Sequence, residues 1–229
     1  MITPEIIQQS EVTGALTDLL SGIIVLPMIL ALIFTKTEKI RLKRFWIIFL
    51  IVLDCSCFLG YAAHYFFTEG TSFYIAWSIL LPLLFETFTC FFLAALAIYT
   101  DGEKPRKKEI LIVHGIMLAA YIATMLIDPH YTREVSIRLL VSSGAILAIV
   151  GFVLIIIKAT KKGHVGEKLL VASMAIFIPA AYFQIDRAHY MHVGVWFNCD
   201  GITHIFLIFG FIAVFIAALI MLKDNKKSA

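Results

Sequence analysis

This sequence has few charged residues. Charged residues make up 15% of its 229 residues, whereas hydrophobic residues make up 61%. A water-soluble domain of this length needs a far more polar surface, so the composition excludes one and predicts an all-α integral membrane protein. The net charge of +3 is also small. Because the basic residues lie beside apolar runs, we expect membrane lipid as a partner and no nucleic acid.

Cysteine is scarce as well. Cys55, Cys57, Cys90 and Cys199 all fall within or beside apolar runs, and no two of them form a Cys-x-x-Cys pair. This spacing excludes an extracellular disulfide framework, and it predicts small buried residues instead.

Long apolar runs are what the sequence has in abundance. A membrane-spanning helix takes about 20 mostly apolar residues, and by that rule seven runs lie at about 14–35, 45–67, 73–99, 110–127, 137–158, 168–189 and 194–222. The first run has no small-residue cleavage site after it, so we interpret it as helix 1 rather than as a signal peptide. The prediction is one domain over residues 1–229, a bundle of seven transmembrane helices.

Basic residues predict the orientation of this bundle. All of the 19 Lys and Arg residues except Arg133, Arg138 and Arg187 lie in the connectors and the tail on one side. The positive-inside rule then places the N-terminus outside and the C-terminus in the cytoplasm. In a bacterium this implies the plasma membrane, whereas in a eukaryote the final KKSA resembles a retrieval signal of the endoplasmic reticulum.

Ionisable residues inside the apolar runs are functional candidates, because each is costly in a membrane. Asp18 in helix 1, His64 in helix 2, and Asp200 and His204 in helix 7 are all expected near the outer surface. Asp200 and His204 are four residues apart, so they share one helix face. Further polar residues are expected in the same layer: Gln184, Asp186, Arg187, His189, His192 and Asn198.

Two imidazoles and one carboxylate suit zinc. His64, Asp200 and His204 would leave a fourth position open for water, as in catalytic zinc sites. Asp18 or Asp186 would act as the base or orient a ligand imidazole. Gly60, one turn before His64, would make room for a substrate chain or a close helix.

The surrounding polar residues, Gln184, Arg187 and Asn198, complete the expected pocket. The alternative is a purely structural set, in which Asp200 and His204 form hydrogen bonds. Arg187 would then neutralise Asp186 or Asp200 as a salt bridge.

A second pair of carboxyl groups is expected deeper in the bundle. Asp54 on helix 2 and Glu86 on helix 3 lie about 20 Å from the outer surface by helix rise. They would share a proton, either as part of a relay or as a tie between the two helices. His114, near the inner end of helix 4, is expected at the membrane interface.

The motifs GYAAH (Gly60 to His64) and DGITH (Asp200 to His204) resemble those of the superfamily of alkaline ceramidases and adiponectin-type receptors. That superfamily has Ser-x-x-x-His in helix 2 and His-x-x-x-His in helix 7, with zinc among helices 2, 3 and 7. Here Gly60 replaces the Ser and Asp200 replaces the first His. The resemblance implies a zinc-dependent lipid hydrolase.

The chain is more closely similar to a bacterial-type family of small seven-helix membrane proteins. That family has Thr-Asp early in helix 1, Gly-x-x-x-His late in helix 2 and Asn-x-Asn/Asp-x-x-x-His in helix 7. The matching stretches here are LTDLL, LGYAAHYF and FNCDGITH.

Several functions remain open on these residues. The first is an intramembrane, metal-dependent hydrolase that cleaves a lipid amide or ester. The second is a receptor, sensor or carrier that binds a lipid or small molecule in the same pocket without catalysis. A proton-coupled transporter would use Asp54 and Glu86, and His64 with His204 would suit haem. Retinal is disfavoured, because the one lysine of helix 7, Lys223, is at its cytoplasmic end.

Overall fold

A computed structural model describes residues 4–67, 70–100, 107–127, 133–185 and 199–224. These residues form seven α-helices and no strand. The helices are α1 (Pro4–Phe34), α2 (Ile40–Tyr65), α3 (Gly70–Tyr99), α4 (Lys107–Ile127), α5 (Arg133–Lys162), α6 (Val165–Ile185) and α7 (Cys199–Lys223). The all-helical prediction is therefore confirmed, and each of the seven apolar runs overlaps one helix.

The helix ends differ from the ends of the apolar runs. The helix α1 begins at Pro4, well before the apolar run that starts near residue 14. Hydropathy marks the membrane-length part of a helix, whereas the backbone hydrogen bonds continue through the polar turns before it. The described part of α6 ends at Ile185 and α7 begins at Cys199, so the predicted continuations to 189 and from 194 lie outside the described residues.

Within the part of the chain that the structure describes, five helices are long and apolar enough to cross a membrane. Their apolar spans are Val12–Phe34, Ile40–Tyr65, Ile75–Tyr99, Val165–Phe183 and Gly201–Lys223. Large apolar side chains such as Leu30, Leu111 and Ile178 are exposed on the outside of the bundle. Exposed apolar side chains over such long helices are typical of a multi-pass integral membrane protein.

Six helices form a closed ring. Packing runs from α1 to α2, α3, α5, α6 and α7, and α7 packs back against α1. The helix α4 lies outside this ring, against α3 and α5. The first and last helices are therefore neighbours, and α1 lies between α2 and α7.

Along the axis of the bundle, the main core occupies one half. This is the half that ends at the connector between α1 and α2. Its buried side chains include Leu32, Trp46, Leu50 and Leu222, and small residues such as Ala217 lie between them. Small residues let helix backbones approach closely, which is how helices gain packing contacts in a lipid environment.

The connector between α1 and α2 also closes the end of α7. The Lys39 ammonium donates a hydrogen bond to the Met221 carbonyl at 2.7 Å, and the Thr37 hydroxyl donates to the Leu222 carbonyl at 2.7 Å. The last carbonyls of a helix have no partner within the helix, and a cation there suits the helix dipole. These contacts hold the α1–α2 connector against the end of α7.

Candidate functional site

A group of polar side chains lies in the half of the bundle opposite the main core. They come from the N-terminal half of α1, the C-terminal end of α2 and the N-terminal end of α7. Thr17, Ser21 and Thr203 are buried there, although all three are polar. We call the set Gly14, Thr17, Asp18, Gly60 and His204 the polar pocket.

An acid and an imidazole meet at the centre of the polar pocket. The Nε2 atom of His204 lies 3.3 Å from the Oδ1 atom of Asp18. Their side chains are only 16% and 13% exposed. The contact joins α7 to α1 and buries two ionisable groups in a part of the chain made of membrane-length helices, where such groups are costly unless they are paired.

The other nitrogen of the His204 ring is held by α1 as well. Nδ1 lies 2.9 Å from the Thr17 hydroxyl oxygen and 3.3 Å from the Gly14 carbonyl oxygen. The Thr17 hydroxyl donates to the same Gly14 carbonyl at 2.7 Å, so its oxygen is free to accept. This network assigns the Nδ1 proton as a donor to α1 and directs Nε2 towards Asp18.

Gly60 is where α2 makes room for the Asp18 carboxylate. A Cβ atom at Gly60 would lie 2.8 Å from Oδ2 of Asp18, closer than side chains pack. The space that we expected for a substrate chain or a close helix is therefore filled by the Asp18 side chain.

His64 lies one turn after Gly60 on α2. Its ring meets the ring of Trp77 on α3 edge to face, with centroids 5.4 Å apart. Trp77 belongs to a second, smaller apolar cluster between α2 and α3 that also contains Leu80 and Leu81. His64 therefore contacts α3.

Asp18 and His204 fit two ligands of a zinc ion. Zinc binds His nitrogen and carboxylate oxygen at about 2.0–2.2 Å, so two ligands of a tetrahedral site lie about 3.3 Å apart. A ligand His also commonly donates its other ring N–H to a carbonyl, as Nδ1 of His204 does here. Among the side chains that the structure describes, no three His, Cys, Asp or Glu groups lie close enough to hold a metal ion.

The remaining predicted site residues are only partly described. Asp200 lies in the first turn of α7, one turn before His204, and Gln184 lies in the last turn of α6; their side chains are not described. Asp186, Arg187 and Asn198 lie outside the described residues, with His189 and His192. The roles given to these residues therefore stay predictions.

The structure does not bring Asp54 and Glu86 together. The Glu86 Oε1 atom instead lies 2.9 Å from Nε2 of His114 and accepts a longer contact of 3.7 Å from the Cys90 thiol. Glu86 is therefore on the side of α3 that faces α4, whereas Asp54 is on α2. The Oδ1 atom of Asp54 is buried with no hydrogen-bond partner in the described structure.

Three contributors to these contacts were missed in the sequence. Thr17 was noted only as part of a Thr-Asp motif, and the Gly14 carbonyl and the pairing of His114 with Glu86 were not predicted. Of the three, only Thr17 could have been predicted from the sequence. It directly precedes Asp18, and its hydroxyl group can form a hydrogen bond with an imidazole that approaches Asp18. The other two depend on how α1 and α4 are rotated about their axes.

The fold and the polar pocket together define a multi-pass helical membrane protein whose first and last helices are joined by a buried Asp–His contact. The sequence model of a family described as "Family of unknown function (DUF6962)" matches residues 13–223, and the chain belongs to this family. The matched region contains every residue of the polar pocket. No curated protein and no solved structure matches the chain.

Proposed function

We propose that the chain crosses the membrane seven times, with its N-terminus outside and its C-terminus in the cytoplasm. The connector between α1 and α2 carries Lys36 and Lys39, the first turn of α2 carries Lys43, and all three lie at the end opposite the polar pocket. The positive-inside rule then places the polar pocket near the outer surface of a bacterial plasma membrane, or on the lumenal side if the membrane is that of the endoplasmic reticulum.

We propose that the polar pocket is the reactive site of a metal-dependent hydrolase that cleaves an amide or an ester in a membrane lipid. The observation that carries the proposal is the placement of His204. One ring nitrogen is fixed by Thr17 and Gly14, and the other faces the Asp18 carboxylate at 3.3 Å. A ring held in this way presents one defined nitrogen to a metal or to a reacting group.

His204 and Asp18 would hold the zinc ion, and His64 or Asp200 would be the third ligand, which leaves the fourth position open for water. Zinc in such a site polarises a carbonyl group and lowers the pKa of water. The chain itself would orient the His204 ring through Thr17, and Asp186 would accept the proton.

The test is a lipid-cleavage assay on the full chain in bilayers. Amide-linked and ester-linked lipids are supplied, and released fatty acid is measured by mass spectrometry for the wild type, Asp18→Asn and His204→Gln. The matched control is His164→Gln, because His164 lies at the turn between α5 and α6, 3.4 Å from Asp224 and away from the polar pocket. We expect cleavage that both pocket variants abolish and the control keeps. Cleavage that survives His204→Gln would contradict the proposal.

A second function is favoured by a specific observation. The described side chains bring two, not three, metal-ligand groups together. A receptor, sensor or carrier that binds a lipid or small molecule by hydrogen bonds needs no third ligand. Under this alternative the purified protein carries a bound lipid and no metal, and native mass spectrometry would find the lipid lost in Asp18→Asn without any turnover in the wild type.

A further inference from the structure

Asp54 is a buried acid that the proposed hydrolase does not use. Asp54 lies near the middle of α2 and is only 9% exposed. Its Oδ1 atom has no hydrogen-bond partner in the described structure. Its neighbours along α2, Leu50, Leu53 and Cys57, belong to the main core. Asp54 is six residues before Gly60, about 9 Å along the helix axis, so it is separate from the polar pocket.

An ionised carboxylate cannot be kept in such a place at low cost. Moving an isolated charge from water to an apolar interior is unfavourable even after the surroundings relax. A neutral carboxylic acid costs far less, and buried groups that lack a partner usually change their protonation state instead of remaining charged. The surroundings therefore decide which form Asp54 takes.

The described ionisable groups around Asp54 give it no compensating positive charge. Cys57, on the same helix, lies within electrostatic range of both Asp54 and Asp18. On α3, Glu86 is paired with His114, and Cys90 contacts Glu86. The nearest described imidazole on α7, that of His204, contacts Asp18.

We propose that Asp54 is a proton-binding site inside the bundle, distinct from the polar pocket. In the packing seen here its carboxyl group holds a proton. It releases that proton only when α2 separates from its neighbours enough to admit water to the carboxyl group. Proton release and the opening of the core around Asp54 are then one coupled event, as a proton-driven carrier or sensor requires.

Infrared spectroscopy of the purified full chain at neutral pH tests this directly. A protonated carboxylic acid has a C=O stretching band that an ionised carboxylate lacks. We expect this band in the wild type, a loss of intensity in Asp54→Asn, and no comparable loss in the matched control Glu86→Gln. Asn has nearly the same shape as the neutral acid, and Asp54→Ser is a second variant if the first does not fold.

Two results would overturn the proposal. If the wild type and Asp54→Asn have the same carboxylic acid band, Asp54 is ionised in the folded chain. If the band falls when sodium replaces a large organic cation at constant pH, Asp54 binds a metal cation rather than a proton.

The buried thiol of Cys57 reports on the coupled opening. In a background of Cys55→Ser, Cys90→Ser and Cys199→Ser, the rate at which a maleimide labels Cys57 is measured from neutral to alkaline pH. Thiol reactivity itself rises with pH, so the same series in Asp54→Asn is the reference. We expect the ratio of wild type to variant to rise with pH, and a constant ratio would show that Asp54 does not control the opening.

Discussion

Gly60 and Asp18 show how a single absent side chain shapes the polar pocket. The carboxylate of Asp18 lies against the α2 backbone at Gly60, where any Cβ would meet Oδ2 at 2.8 Å. From there Oδ1 reaches His204 on α7. The position of Asp18, and with it the contact between α1 and α7, therefore depends on a glycine in α2.

Gly60→Ala is expected to displace Asp18 and weaken the contact with His204. Overpacking of this kind costs about 1–3 kcal/mol of stability. The matched control is Gly115→Ala in α4, where an added Cβ meets nothing within 4 Å and helix propensity favours alanine. Thermal unfolding in detergent is the measurement, and a midpoint for Gly60→Ala no lower than that for Gly115→Ala would show that Asp18 can move without loss.

Thr17 fixes the orientation of the His204 ring. Thr17→Val keeps the shape of the side chain but removes the oxygen that contacts Nδ1 at 2.9 Å, so a loss of about 1 kcal/mol of stability is expected. Thr17→Ser keeps the oxygen and is the control. Nitrogen NMR of labelled histidine should show a changed His204 signal in Thr17→Val alone, and equal signals in both variants would mean that Thr17 does not hold the ring.

Part of this site could be predicted from single residues. Asp18, His64 and His204 stand out because ionisable groups are rare in apolar runs. The contact atoms of His204 could not be predicted in the same way. They depend on the rotation of α1, which residue depth along a helix does not determine.

At the scale of helices, α4 depends on two polar contacts with α3. The Nε2 atom of His114 contacts Glu86, and the Tyr121 hydroxyl donates to the Ser78 carbonyl at 3.4 Å. His114 and Tyr121 are two turns apart and therefore lie on one face of α4. Leu111, Ile112 and other large apolar side chains of α4 are exposed.

His114→Leu is expected to loosen α4 while leaving the ring of six helices intact. It removes the Glu86 contact that joins α4 to α3. Hydrogen exchange measured by mass spectrometry should be faster over Leu111–Ala123 and unchanged over α7. Tyr121→Phe should have a smaller effect on exchange, because the hydrogen bond that it removes is long. If His114→Leu does not change exchange in α4, apolar contacts alone hold the helix.

Pairing between helices explains why the expected contact of Asp54 with Glu86 was not found. Helix rise places both at a similar depth, but it does not say which side of α3 faces α2 and which faces α4. The side that carries Glu86 faces α4 and its His114. Depth was estimated from the sequence, whereas the facing direction is set by packing.

For the whole molecule, hydropathy predicted the class and the number of helical segments but not their arrangement. Length and apolarity are properties of each segment, so they can be counted. The closure of the ring through α1 and α7, with α4 outside it, depends on how all seven helices pack. The polar pocket exists only because this closure brings Asp18 and His204 together.

The proposed orientation gives a prediction for the whole molecule. In a background without native cysteines, Lys36→Cys in the α1–α2 connector should react with an impermeant thiol reagent only after the membrane is opened. Phe67→Cys, just beyond the end of α2, should react in intact cells. The reverse pattern would invert the topology and place the polar pocket on the cytoplasmic side.

The most direct test of the central claim, that the polar pocket is a metal-binding reactive site, is elemental analysis of protein purified without chelators. The wild type is compared with His204→Ala and with the control His164→Ala. We predict about one zinc per chain in the wild type and the control and a loss of it in His204→Ala. A wild type without metal, or a metal content that His204→Ala leaves unchanged, would contradict the claim.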